Sequence, residues 1–273
     1  MKISEYHLGF IGFGHMAQVI CRAIERAKLI PRSQIAFLRR DPEKMRQNEK
    51  EFGITATSLE NLLHISHIVL IAVRPSHADF VLKEMARLKV EESKMIVSVL
   101  AGIKLAFYQK YLGSKNPLLR VMPNIASAVG EGMSVFSYAL HPSLEFRSLT
   151  NLLFSCMGEI IEVSEPLMDI CCGIAGSGPG FVFRLIEAMA RAGEKGGLTR
   201  AKALKMAAQT FAGAAKLILK GSEPEMLLQQ ITTPNGTTEA GLKVMTALHI
   251  DNYFQSVVEA SSKRSKELAE EFY

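Results

Sequence analysis

Near the start of the chain, Leu8-Gly9-Phe10-Ile11 runs into Gly12-Phe13-Gly14-His15-Met16-Ala17, an apolar strand followed by GxGxxA and a segment compatible with a helix. In such a turn the first glycine allows the sharp bend and the second lets a pyrophosphate approach the backbone. The small third residue lets helix and strand pack closely. The helix start then offers unpaired N–H groups and partial positive charge to phosphates. Ile11, Gly12, Phe13, Gly14, His15 and Met16 are therefore candidate cofactor-binding residues, with His15 a neighbour of the phosphates and not a base. A second cluster lies at the end of the next apolar run, Leu38-Arg39-Arg40-Asp41-Pro42-Glu43. An acid about 20 residues beyond the glycines commonly holds the 2′-hydroxyl of an NAD ribose. Here Asp41 followed by Pro42 and Glu43 makes a good helix start, with Asp as N-cap and Pro at the first position. That leaves Arg39 and Arg40 to face the ribose, where guanidinium pairs with a 2′-phosphate. The expected cofactor is NADP, with NADPH preferred over NADH.

Two further strand ends point to the same cleft, because ligands in open parallel sheets lie beyond the carboxyl ends of strands. They supply Ala72, Val73, Arg74 and Pro75 from one tip, and Leu100 and Ala101 from the other.

These residues need a scaffold. Short Val/Ile-rich runs at Leu8–Ile11, Ile35–Leu38, Ile68–Val73, Met95–Leu100, Leu118–Met122 and Ile160–Val163 are separated by helix-sized amphipathic stretches. That rhythm predicts βαβ units and a parallel sheet with helices on both faces. After Val163 the strand signal stops and helices follow, broken at Gly176–Pro179, Gly196-Gly197, Gly221–Pro224 and Pro234–Gly236. The expectation is an α/β protein: a Rossmann-type dinucleotide-binding domain over 1–163, then an all-α substrate-binding and dimerisation domain over 164–273. The stretch Ala201–Leu219 has only three lysines among Ala, Gly and aliphatic residues, too few for a wide polar face. It is expected to bury against a second subunit in a two-fold dimer; the alternative is a self-contained bundle with this helix at its centre.

Composition narrows the function. The chain of 273 residues is 48% hydrophobic and 22% charged, with a net charge of +5 spread without a dense basic block. That balance suits a small anionic substrate and excludes nucleic acid and membrane as expected partners. Four cysteines form no CxxC pair and seven histidines offer no metal spacing, so neither a metal site nor a disulfide framework is expected. The adjacent Cys171-Cys172 reads as buried small hydrophobes, with redox chemistry as the alternative. The apolar runs are strand-sized and the N-terminus is interrupted by charge, so the expected location is cytoplasmic.

Six segments then carry a resemblance: Arg120–Asn124, Val129–Met133, Gly176–Pro179, Ala207–Thr210, Gly213–Lys216 and Pro234–Thr238. In order and over essentially the whole chain, they resemble the pyrroline-5-carboxylate reductase family. The GSGP helix opening and the PxGTT loop are the most specific pieces. The resemblance implies reduction of 1-pyrroline-5-carboxylate to L-proline by NAD(P)H. It also implies an intertwined helical homodimer, with dimers assembled into larger rings.

The loop Thr232–Thr238 offers backbone N–H groups to the substrate carboxylate. The resemblance sets the Thr238 hydroxyl near the ring nitrogen, as hydrogen-bond partner or proton donor; the other reading for these threonines is helix capping. Thr233, Asn235, Gly236, Thr237, Glu165 and Ser177 are implied to lie near the substrate, and Asn124 near the nicotinamide ribose. Glu165 and Ser177 are equally explained as helix starts, and Asn124 as closing a turn after Pro123.

The chain departs from the family pattern at Ile125-Ala126, Ala175, Asn235, Gly180-Phe181, His67 and Arg74. Two other readings stay open: a reductase of another cyclic imino acid, or an NADP-binding regulatory paralogue without turnover. The intact PxGTT loop favours an enzyme; Ile125 and Ala175 favour the paralogue.

Overall fold

The computed structural model describes residues 3–270. Its N-terminal part alternates strands and helices: β1 Leu8–Ile11, α1 His15–Arg26, β2 Ile35–Leu38, α2 Pro42–Phe52, β3 Thr55–Ala56, α3 Leu59–Ile65, β4 Ile68–Ile71, α4 Ala78–Arg87, β5 Met95–Ser98, α5 Leu105–Leu112 and β6 Leu118–Met122. Then come β7 Gly132–Tyr138, α6 Leu144–Ser155 and β8 Gly158–Glu162. All eight strands form one sheet in the order β3-β2-β1-β4-β5-β6-β7-β8. Its side chains alternate between two apolar layers. Leu8, Phe10, Ile68, Leu70, Met95 and Val97 enter one core, while Ile11, Val69, Ile71 and Ile96 enter the other. Strands covered on both faces need apolar residues at nearly every position, which is why these runs read as unbroken.

Two strands go beyond the sequence reading. β3 is two residues long and pairs in parallel with β2. β7 runs antiparallel to β6, with Leu119 opposite Tyr138 and Met122 opposite Val135, so the sheet is mixed and not wholly parallel. Only residues 123–131 separate the two strands, and their one short 3-10 turn is Ile125–Val129. A parallel crossover needs a dozen residues or more, so this connection returns antiparallel. β8 then pairs in parallel with β7.

Beyond β8 the described residues are helical: α7 Met168–Cys171, a π-helical turn Cys172–Gly176, α8 Gly178–Lys195, α9 Arg200–Leu219, α10 Pro224–Ile231, α11 Thr237–Ala247 and α12 Ile250–Glu270. By contacts the chain divides at Gly176, later than the expected boundary at Val163, because α7 and the π turn pack on the sheet-bearing unit. Residues 261–270 also belong to that unit, and Ser177–Ala260 form the other. Buried Asp169 on α7 accepts a hydrogen bond from Ser265 Oγ of α12 at 2.7 Å within the first unit.

The helical unit has almost no core of its own. Its buried apolar residues are Ala190, Ala203 and Ala207, while Phe183, Met206, Leu219, Ile231 and Leu248 are each more than half exposed. Each such large side chain gains roughly 1.5–3 kcal/mol on full burial, so a copy left bare forgoes a large stabilisation. One continuous helical stretch, Glu165–Lys195, is long and apolar enough to cross a bilayer by length and composition, a feature the strand-sized apolar runs did not reveal. Arg184, Glu187, Arg191 and Glu194 interrupt it, and Glu187 is paired with Arg191 at 2.7 Å.

Candidate functional site

Three strand ends are brought into line by pairing, since Ile11 of β1 lies opposite Leu38 of β2 and Ile71 of β4. The Gly12 N–H donates to Leu38 O at 2.9 Å, and Ala72 N–H to Ile11 O at 2.8 Å, so the loops leaving the three strands start at one level. Gly12 has φ +90°, and a Cβ there would lie 2.7 Å from the Ala72 carbonyl oxygen. Both conformation and contact require glycine. At Gly14, the N-cap of α1, a Cβ would meet no protein atom within 4 Å, and no side chain caps the helix. The first turn of α1 carries no acid. Its N–H groups therefore face a space that suits a phosphate.

That space opens into a cleft of about 290 Å³ lined by Gly12, Phe13, Gly14, Arg39, Arg40, Asp41, Lys44, Ala72, Val73, Arg74 and His77. Asp41 caps α2, accepting from Glu43 N–H and Lys44 N–H at 3.1 Å each, with Pro42 at the first helical position. The acid is thus engaged with backbone, as its sequence context suggested. The two arginines have different surroundings. Half-buried Arg39 spends Nη1 on Phe13 O at 2.9 Å and Asn48 Oδ1 at 2.7 Å, tying the glycine loop to α2. Exposed Arg40 has Nη1 at 3.4 Å from Nε2 of His77, a residue of the 3-10 turn after β4. Lys44 and His77 were not singled out in the sequence, because each lies on an element that only the β2-β1-β4 order brings to the cleft. The residues present fit a dinucleotide carrying an extra phosphate: a glycine loop, an open helix end, and four fixed cations against one carboxylate already engaged.

Other candidates are placed differently. The side chains of Ile11 and Leu100 are buried in the core; His15, Met16, Pro75 and Ala101 are not among the residues lining the cleft. Asn124 accepts from Ala126 N–H at 3.2 Å and Met133 N–H at 3.3 Å and donates Nδ2 to Ala175 O at 3.0 Å. It closes the turn after Pro123 and fastens it to the π turn. Glu165 is likewise engaged within the protein, its Oε1 accepting from Leu105 N–H at 2.7 Å and from buried Arg120 at 3.2 Å. It therefore supplies the carboxylate that the start of α5 and the Arg120 charge both require. Ser177 is the N-cap of α8, without a side-chain cap bond to that helix.

The PxGTT segment joins α10 to α11. Asn235 has φ +59°, the left-handed conformation that asparagine tolerates best after glycine. A Cβ on Gly236 would lie 2.4 Å from Thr233 Oγ1, so glycine is required there. Two backbone donors of the expected anion cradle are taken: Gly236 N–H by Thr233 O at 2.9 Å and Asn235 N–H by Glu239 Oε2 at 2.8 Å. The donor set is thereby narrowed to the first turn of α11, which begins at Thr237 with Gly236 as N-cap and no side-chain cap. Thr237 and Thr238 sit in that turn, exposed and half-buried respectively. Neither caps α11. Lys243 pairs with Glu239 at 3.1 Å and offsets its charge.

The cysteines are free. Burial pushes the Cys21 thiol up to about 12, so it is a protonated core group. Cys171 and Cys172 are half-buried, not buried as expected, and burial also raises Cys171. Among the described residues no group of three His, Cys, Asp or Glu side chains could hold a metal ion.

A sheet with this glycine turn and cationic cleft, followed by helices that lack their own core, defines a dinucleotide-dependent oxidoreductase with a helical assembly domain. Residues 7–102 match the family model described as NADP oxidoreductase, coenzyme F420-dependent, and residues 165–268 match that for pyrroline-5-carboxylate reductase dimerisation. The chain is 35% identical over 272 residues to pyrroline-5-carboxylate reductase 1 of Bacillus subtilis, covering 98% of this chain and 91% of that one. It is 34% identical to the Arabidopsis thaliana pyrroline-5-carboxylate reductase, covering 98% and 97%. Among solved structures, the Plasmodium falciparum pyrroline carboxylate reductase with NADP bound superposes with a TM-score of 0.87 at 28% identity, covering 97% of this chain and 99% of that one. The chain belongs to the pyrroline-5-carboxylate reductase family, and with it to the NAD(P)H-dependent oxidoreductases that act on a cyclic imine. Its helical region is a dimerisation domain, which accounts for the exposed apolar side chains.

Proposed function

We propose that this protein reduces 1-pyrroline-5-carboxylate to L-proline with NADPH, in the biosynthetic direction. When bound, the cofactor supplies a hydride from its nicotinamide ring. The chain's own groups bind the two ligands and orient them. Gly12 and Gly14 admit the pyrophosphate to the start of α1. Arg40, at the far end of the same cleft, pairs with the ribose 2′-phosphate. The first turn of α11 takes the substrate carboxylate on its backbone N–H groups. Thr238 hydrogen-bonds the ring nitrogen; a threonine hydroxyl is too weak an acid to protonate it alone, so the proton arrives through water or with the substrate. Rate enhancement then comes from positioning and preorganised dipoles, with no covalent intermediate on the protein. The observation that carries the cofactor choice is the cleft wall: its carboxylate, Asp41, is engaged with the backbone of α2 while its cations stand at the end of β2 and beside it. The same reading takes the homodimer as the smallest unit, with dimers joined into rings, working in the cytoplasm.

The test is NADPH oxidation dependent on pyrroline-5-carboxylate, with L-proline identified as product and with rescue of a proline auxotroph. Thr238→Ala should lower kcat about tenfold or more while leaving NADPH affinity within about twofold. Equal loss of NADPH binding in that variant would remove Thr238 from the proposed role.

A further inference from the structure

The cleft holds more basic side chains than the β2 turn supplies, and two of them come from elements that carry no nucleotide motif. Lys44 lies in the first turn of α2, its Nζ 3.9 Å from Asp41 and largely solvated. His77 ends the 3-10 turn Pro75–His77, with Nε2 facing Arg40 Nη1 at 3.4 Å. Arg39 is committed to Phe13 O and Asn48. An arginine held that way fixes the glycine loop and has little freedom to follow a ligand.

We infer that Lys44 and His77 are specificity residues for the 2′-phosphate, forming its site together with Arg40, while Arg39 supports the loop. This rests on the NADPH reading above and assigns its discrimination to particular side chains. Lys44 carries fixed charge, and His77 faces Arg40 in a cleft also lined by Arg39, Arg74 and Asp41. A phosphate bound there accepts from the Arg40 guanidinium, the Lys44 ammonium and the His77 imidazole N–H together.

The experiment measures Kd for NADPH and for NADH by nicotinamide fluorescence on the intact full-length protein, wild type and the variants Arg40→Gln, Lys44→Gln and His77→Gln. The expected result is a loss of about five- to tenfold in NADPH affinity for each variant, with NADH affinity moving less than about twofold. If Arg40→Gln collapses the NADPH/NADH ratio while Lys44→Gln and His77→Gln leave it intact, Arg40 reads the phosphate alone and this inference is overturned. If none of the three variants changes the ratio, the NADPH reading itself falls and takes this inference with it.

Discussion

Two adjacent arginines at the end of β2 illustrate how little residue type alone decides. Arg39 and Arg40 are equivalent in the sequence, yet the fold gives one a carbonyl and an asparagine and leaves the other facing a histidine across the cleft. Arg39→Ala would leave Phe13 O and Asn48 Oδ1 without their charged donor, and Asn48 is buried. The expected outcome is a stability loss of about 1–3 kcal/mol in urea unfolding. Affinity for NADPH and NADH should weaken in parallel, as read by nicotinamide fluorescence. A selective loss of NADPH binding with unchanged stability would make Arg39 a direct reader of the phosphate.

At the scale of elements, the first βα turn was legible because GxGxxA after an apolar run carries its own geometric reason at Gly12. The cap at Asp41 was legible for the same cause, a short-range bond between side chain and backbone. β3 was not, since two residues leave no period to read. β7 was hidden because two of its buried positions are Ser134 and Ser137, which dilute the apolar signal. For Glu165 the resemblance implied a place near the substrate, with a helix start as the equal reading; its bonds to Arg120 and Leu105 were not legible because those partners are distant in sequence. A testable electrostatic feature lies where β1 and β4 begin. His67 Nδ1 accepts the His7 backbone N–H at 2.9 Å, which needs an unprotonated imidazole nitrogen. Burial, then the charges of His7 and Lys94, hold the His67 pKa below its ordinary value. The unfolded chain therefore takes up this proton first as pH falls. Stability from this group is complete above the unfolded value of about 6.5 and drops as pH falls below it. Urea unfolding at pH 7.5 and 5.5 should show a larger loss for wild type than for His67→Asn, whose amide oxygen still accepts without titrating. Equal losses would show that His67 does not contribute to acid sensitivity.

For the whole molecule, the contrast is between a sheet unit with two apolar cores and a helical unit whose buried apolar residues are three alanines. Such a unit is stable when its exposed apolar side chains are covered by a second copy, in keeping with the dimerisation model that matches it. Phe183→Glu combined with Met206→Glu should shift sedimentation at micromolar concentration from dimer to monomer and lower Tm. An unchanged dimer would put the interface elsewhere on the helices. The proposed function joins assembly and cofactor recognition in one reaction. The most direct measurement is therefore steady-state turnover of 1-pyrroline-5-carboxylate by the purified homodimer, with NADPH and NADH compared side by side. Formation of L-proline, with a kcat/KM for NADPH at least about tenfold above that for NADH, is the predicted result. Tight NADPH binding with no proline formed, or a preference for NADH, would contradict it.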